Sequence, residues 1–155
     1  FGQGMIRIGG VIKDVHQDWV SRTVNELYSI EGILKRLRNS IYQSQVNQLK
    51  LSFPLFSKAE ASDWCLSGPI ARAVGINLDL RKTRPFYFYG DVEFDIPVGV
   101  YGNGSDLVNV KLEEIFQSIR ITTQVLDNLP TGEFMDECFG QIFLEKERGL
   151  KIDEQ

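Results

Sequence analysis

Nine glycines and prolines crowd residues 66–104: Gly68, Pro69, Gly75, Pro85, Gly90, Pro97, Gly99, Gly102 and Gly104. Glycine costs backbone entropy in a regular element, and proline removes a backbone donor and clashes with the preceding turn. No long helix can cross such a stretch, so short extended pieces and tight turns are expected there. Between these residues lie Arg72, Asp79 and Arg81, and the run Phe86-Tyr87-Phe88-Tyr89 should supply aromatic packing.

The flanks read differently. In residues 17–38, Trp19, Val20, Val24, Leu27, Ile30, Leu34 and Leu37 recur mainly at spacings of three and four. That spacing predicts one apolar helical face, with Asp14 or Asp18 as the cap. Asn39-Ser40 should break the pattern, after which Leu49, Leu51 and Phe53 alternate as in a short strand. Ser57 followed by Glu60 is a capping box that should open a short helix through about Cys65. Asp106 should cap a second long helix over about 106–128, with Val108, Leu112, Ile115, Phe116, Ile119, Val125 and Leu126 as its stripe and Leu129-Pro130 and Gly132 as its stop. A third amphipathic helix is expected over about 134–148, with Met135, Cys138, Phe139, Ile142 and Phe143 on one face. The fold class expected is mainly α with irregular and short β segments. Two long amphipathic helices are joined by a Gly/Pro-rich loop region, and a third C-terminal helix follows.

Charge narrows the function classes. The chain of 155 residues carries −4 overall, from 17 basic and 21 acidic residues. Residues 133–155 hold seven acids and three bases, so residues 1–132 balance at fourteen of each sign. A nucleic-acid surface needs a clustered positive field, which a neutral body lacks. No apolar run reaches the roughly 18–20 residues of a membrane span, so membrane contact is expected only through partners. The first residue is Phe and no signal pattern follows, which reads as a removed presequence or a start inside a larger frame.

Chemistry-bearing motifs are few. There are two cysteines, Cys65 and Cys138, and one histidine, His16, with no CxxC or HxxxH. A metal or iron–sulfur site made by this chain alone is not expected. Cys65 reads as a buried small hydrophobe, and His16 as an exposed or capping residue. The opening segment has Gly9-Gly10 but neither phosphate-loop pattern, so these glycines are read as turn formers. Asp79 could be an acid between two cations, Arg72 and Arg81, and the favoured role for that trio is structural, fixing the loops. No catalytic, cofactor-binding or metal residues are assigned.

Several ordered motifs carry a resemblance. Arg7-Ile8-Gly9-Gly10-Val11 is similar to an Arg-Pro-Gly-Gly-Val turn with Ile8 in place of proline. Ser57 to Gly75 matches a capped helix followed by a Ser-Gly-Pro…Ala-Arg…Gly loop, which includes Gly68, Pro69, Arg72 and Gly75. Asn77 to Lys82, with Asp79 and Arg81, matches an Asp-Leu-Arg element, and Glu93 to Gly99, with Pro97, a Glu-Phe-Asp…Pro-Val-Gly element. Glu113 to Ile121 matches a Glu-Glu…Gln-Ser…Ile helix. Together these resemble the 49-kDa-type, large quinone-site subunit of respiratory complex I over about Met5 to Glu133. Residues 1–132 are accordingly read as a central to C-terminal-side fragment of that subunit, and 133–155 as a divergent amphipathic helix with an acidic tail. Departures occur at Gly2, where the family often has a histidine near a neighbouring iron–sulfur cluster, and at Asn103, Ser105, Leu107 and Val108. In that Gly-Asp-x-Tyr-Asp-Arg-Tyr pattern only Gly102 and Asp106 remain.

The resemblance implies part of a hydrogenase-large-subunit-like fold and a scaffold role in the quinone-reducing module, which passes electrons from NADH to ubiquinone with proton translocation. It implies FMN, iron–sulfur clusters and ubiquinone at the level of the complex, with none bound by this chain, because the quinone-contacting histidine and tyrosine of the family lie upstream of the region matched. Partners implied are chains supplying the other parts of a divided subunit and peripheral-arm neighbours, including the one with the terminal cluster. The setting implied is the matrix side of the mitochondrial inner membrane, or else the cytoplasmic side of a bacterial membrane. A repurposed assembly or accessory binding protein is the alternative. A hydrogenase-like metalloenzyme is disfavoured because paired CxxC motifs are absent.

Overall fold

The computed structural model describes residues 5–44 and 51–136, apart from the side chains of Arg7 and Gln17. These residues are mostly helical with little strand, and they divide into two units.

In the first unit, residues 5–21 and 129–136, strands β1 (Ile6–Arg7) and β2 (Gly10–Val11) pair antiparallel, with Ile6 opposite Val11 and Arg7 opposite Gly10. Gly9 takes φ +92°, the sign demanded at the third position of a type II turn, where proline is common one residue earlier and Ile8 stands here. Residues 134–136 lie alongside the hairpin. Val11 N–H donates to the Phe134 carbonyl at 2.9 Å, and Asp136 N–H to the Gly9 carbonyl at 2.9 Å. A Cβ at Gly10 would fall on the Phe134 carbonyl oxygen, so the close approach requires glycine. The expected helix over 134–148 therefore does not begin at 134. Its remainder, with Cys138, lies outside the described residues.

Helix α1 (Gln17–Gln43) begins in this unit. The Trp19 and Val20 amides bond to the His16 carbonyl, and Asp18 N–H donates to His16 Nδ1 at 3.3 Å. His16 occupies the cap position expected for Asp14 or Asp18; Asp14 instead accepts from Val15 N–H at 2.7 Å.

The second unit comprises residues 22–128. Here α1 runs through Asn39-Ser40 to Gln43, because Tyr42 near its end donates a hydrogen bond to Asn109, and mid-helix Asn and Ser cost only about a few tenths of a kcal/mol. Four short helical pieces follow: α2 (Lys58–Asp63), where the capping box predicts a short helix, and then α3 (Gly68–Ala73), α4 (Leu80–Thr83) and a 3-10 turn (Tyr87–Gly90), where short extended pieces and turns were expected. The reason is positional. Pro69 falls in the first turn of α3, where its missing N–H would be unpaired anyway. The strand expected near Phe53 is a single antiparallel bridge, Pro54 to Asn103; Leu49 lies outside the described residues.

The capping box at α2 has both arms: Glu60 N–H donates to Ser57 Oγ at 3.2 Å and Ser57 N–H to Glu60 Oε2 at 2.8 Å. Both α2 and α3 end in the same two-bond motif. Leu66 N–H reaches the Ala61 carbonyl and Cys65 N–H that of Ser62; Ile76 N–H reaches the Ala71 carbonyl and Gly75 N–H that of Arg72. This closure needs a left-handed residue after the cap, which is Gly75 (φ +90°) in one case and Cys65 (φ +50°) in the other. Cys65 is exposed and a free thiol, not buried, because the left-handed turn carries it outward beyond Asp63.

The second long helix is α5 (Gly104–Asp127). It starts two residues earlier than expected because Asn103 is the cap, accepting Asp106 N–H at 2.9 Å. Helix α3 packs chiefly against α5, and Ala71 and Ala73 give the close approach. The core holds these alanines with Ala61, Val74, Phe94, Val110, Leu112, Ile119 and Ile121. The buried arc of α5 thus includes Val110 and Ile121, while Ile115 of the expected stripe is 40% exposed.

Candidate functional site: loops fastened to one helix

The motif residues between 66 and 106 converge on α5. Arg72 leaves the last turn of α3, buried, and donates from Nε to Glu114 Oε1 at 2.7 Å and from Nη1 to the Leu78 carbonyl at 3.1 Å. Its carbonyl accepts Gly99 N–H at 2.8 Å. A Cβ at Gly99 would strike the Ala73 carbonyl and lie 2.8 Å from the Asp106 Cβ, so glycine permits the contact between α3 and the 97–102 loop.

Asp79 caps α4, accepting Arg81 N–H at 2.9 Å, and takes the Arg81 guanidinium on both oxygens, with Nη2 at 2.7 Å from Oδ2. These charge-assisted bonds hold the Asp79 carboxyl below its ordinary range, against the opposing effect of burial, and raise Arg81. The Arg81 guanidinium also lies over Phe94 at 5.0 Å. Both arginines of the expected trio act on Asp79, Arg81 by direct hydrogen bonds and Arg72 only through its charge. Arg72 answers Glu114 of α5, and Asp79 answers Arg81.

Asp106, at the third position of α5, uses Oδ2 to accept three successive amides: Val100 at 3.1 Å, Tyr101 at 2.5 Å and Gly102 at 2.9 Å. It is not the helix cap but the anchor of the preceding loop, a carboxylate in a nest of backbone donors.

Four residues of α5 escape sequence reasoning as partners: Glu114, Gln117, Arg120 and Gln124. The last three, spaced three and four apart, share a face. Gln117 Oε1 accepts Asp95 N–H at 2.9 Å, and Arg120 reaches Asp95 at 3.0 Å and Glu93 at 3.4 Å. That spacing is the signal that could have found them. Among the remaining motif residues, Arg7 lies in β1, Gly9 in the turn after it and Gly10 in β2, while Gly68 takes φ +68° ahead of Pro69 and Pro97 is half-buried.

The arrangement positions backbone rather than reacting atoms. A groove of about 450 Å³ between α1 and α5 is lined by Tyr28, Glu31, Glu93, Phe116, Arg120 and Gln124, and its charged groups already pair, Glu31 with Lys35 and Arg120 with Glu93. Among the described residues, no three His, Cys, Asp or Glu side chains gather as a metal site requires. No described helix is long and apolar enough to cross a membrane.

Comparison with known proteins supplies the family. Residues 1–152 match the model of the respiratory-chain NADH dehydrogenase 49-kDa subunit. The chain is 35% identical over 144 residues to the C/D-type subunit of the NADH-quinone oxidoreductase of Bdellovibrio bacteriovorus, covering 92% of this chain and 26% of that protein. It is 37% identical over 149 residues to a D-type subunit of the same enzyme in Opitutus terrae (93% and 34%), and 37% identical over 133 residues to the D-type subunit in Ehrlichia canis (85% and 34%). The chain spans about a quarter to a third of the length of these relatives. This chain belongs to the family of the 49-kDa subunit of respiratory-chain NADH dehydrogenase.

Proposed function

We propose that this chain is a scaffold segment of the quinone-reducing module of complex I, within a hydrogenase-large-subunit-like fold. The observation that carries the reading is that the family motifs meet on α5: Arg72 bonds to its Glu114, the 100–102 loop to its Asp106, and the Glu93 to Gly99 element to its Gln117. Such an arrangement gives a loop shell of set shape against which cluster-bearing and quinone-binding neighbours can be placed. Electron transfer from NADH to ubiquinone, and the FMN and iron–sulfur clusters it needs, belong to the assembled complex. The rest of the subunit's length, with its quinone-contacting groups, is contributed alongside residues 1–155. The setting is the peripheral arm on the matrix side of the mitochondrial inner membrane, with the cytoplasmic side of a bacterial membrane as the other location.

Purification of the NADH-oxidising complex from its source, with mass spectrometry of its subunits, tests this. The expected result is this chain at one copy per complex; its absence sinks the proposal. The replacements at Gly2, Ser105, Leu107 and Val108 favour one second reading, a repurposed assembly protein. A complete second 49-kDa-type subunit in the same complex decides for it.

A further inference from the structure

Asn103-Gly104 is the one Asn-Gly pair in the chain, and three contacts converge on it. Asn103 caps α5, accepting Asp106 N–H on Oδ1 at 2.9 Å. It also pairs with Pro54 in an antiparallel bridge, where Gly104 N–H donates to the Phe53 carbonyl at 3.0 Å and Leu55 N–H to the Gly102 carbonyl at 2.9 Å. Gly104 is buried, and the Phe53 ring covers it so closely that a Cβ there would come 2.6 Å from Cζ.

An asparagine followed by glycine can react with its own backbone, because no Cβ on the next residue shields the nitrogen. The Gly104 nitrogen bonds to Asn103 Cγ, the bond from Cγ to the side-chain nitrogen breaks, and the Gly104 amide proton leaves with that nitrogen as ammonia. Water then opens the resulting succinimide at one of its two carbonyls, giving aspartate or isoaspartate. The attack needs the Gly104 N–H free to lose its proton and the Asn103 carboxamide free to turn toward it. In the folded chain the Phe53 carbonyl holds the first and Asp106 N–H holds the second.

We propose that Asn103 is a site of spontaneous deamidation whose rate is set by opening of the Pro54–Asn103 bridge. While the bridge is closed the pair is protected, and each local opening exposes it to the reaction. The two products differ in consequence. Aspartate caps a helix as well as asparagine does, so that product leaves the start of α5 intact. Isoaspartate adds a methylene to the backbone between residues 103 and 104, which carries Gly104 N–H out of register with the Phe53 carbonyl and keeps the bridge from closing. The inference rests on contacts within this chain and is independent of the proposed function.

The test is peptide mapping by mass spectrometry of the full chain after incubation, folded and in concentrated urea, with hydrogen exchange at the Gly104 amide read on the same samples. Deamidated residue 103 should accumulate at least about tenfold more slowly in the folded chain. Leu55→Pro removes the second cross-bridge donor and should raise Gly104 exchange and Asn103 deamidation by the same factor. Should that variant not fold, wild type in rising sub-denaturing urea gives the same comparison, and the two rates should again rise together. Absence of deamidation at residue 103 in concentrated urea overturns the site. Equal rates in the folded and unfolded chain, or faster Gly104 exchange with unchanged deamidation, overturn the bridge as its gate.

Discussion

Gln124 holds the backbone of Glu93 from both sides: its Oε1 accepts Glu93 N–H at 2.8 Å and its Nε2 donates to the Glu93 carbonyl at 2.7 Å. A helix side chain thus does what a neighbouring strand would do, pairing an extended residue through both polar groups. Gln124→Ala removes both bonds on an exposed flank, where water can replace them, and should cost about 1 kcal/mol. Amide hydrogen exchange checks it: Glu93 should lose protection while the Gly104–Asp127 helix keeps its own.

Asp106 should be harder to replace. Asp106→Ala leaves three neighbouring N–H groups without their acceptor, at about 2–4 kcal/mol in total, since part of the loop stays wetted. Asp106→Asn keeps an accepting oxygen and should cost less than half as much. Chemical denaturation of the two variants gives the comparison, and equal losses would show that the charge rather than the geometry matters.

The Asp79–Arg81 pair predicts an acid-sensitive increment of stability. The Asp79 carboxyl is depressed chiefly by its hydrogen bonds from Arg81. A depressed acid contributes stability that is complete above its unfolded value, near 3.8, and is lost as pH falls through the lower folded value. Arg81→Ala should cost about 2 kcal/mol near neutral pH, less than the roughly 3–5 of a fully buried pair because Arg81 is partly exposed. The difference from wild type should shrink in strong acid to what the guanidinium's contact with the Phe94 ring contributes, and denaturation curves across that range measure it. Glu60, depressed by its bonds to Ser57, should shed its smaller contribution in the same direction as pH falls below about 4.5.

The two matched helix ends make opposite predictions. Cys65 occupies a left-handed position that Gly75 fills without strain. Cys65→Gly should therefore raise stability by about 1 kcal/mol and Gly75→Ala lower it by about the same. Thermal melts of both variants check the pair, and a destabilised Cys65→Gly would mean that the thiol makes a contact worth more than the strain.

Much of this architecture is legible one residue at a time. The capping box at Ser57 and Glu60, the stop after Asn128 and the two long helices rest on local chemistry, because each is decided within a turn or two of the chain. Where local chemistry misleads, the cause is shared. Residue type makes Asp106 a good cap, yet Asn103 takes that role and Asp106 turns back to the 100–102 amides. Nearness in sequence groups Asp79 with Arg72, whose charge does act on it, yet the carboxylate that Arg72 hydrogen-bonds is Glu114, forty-two residues away. Residue type also assigns Cys65 to the interior, yet backbone geometry at the end of α2 puts it outside.

The family, the helix-forming flanks and the places where the chain must turn are all readable from residue type and spacing along the chain. Which carboxylate meets which arginine, that Gln117, Arg120 and Gln124 hold residues 93–95, and that Pro54 pairs with Asn103 emerge from the packed molecule alone. Those pairings are non-local. They depend on how closely Ala71, Ala73 and Gly99 let the loops approach α5, a steric property that no single stretch of sequence contains.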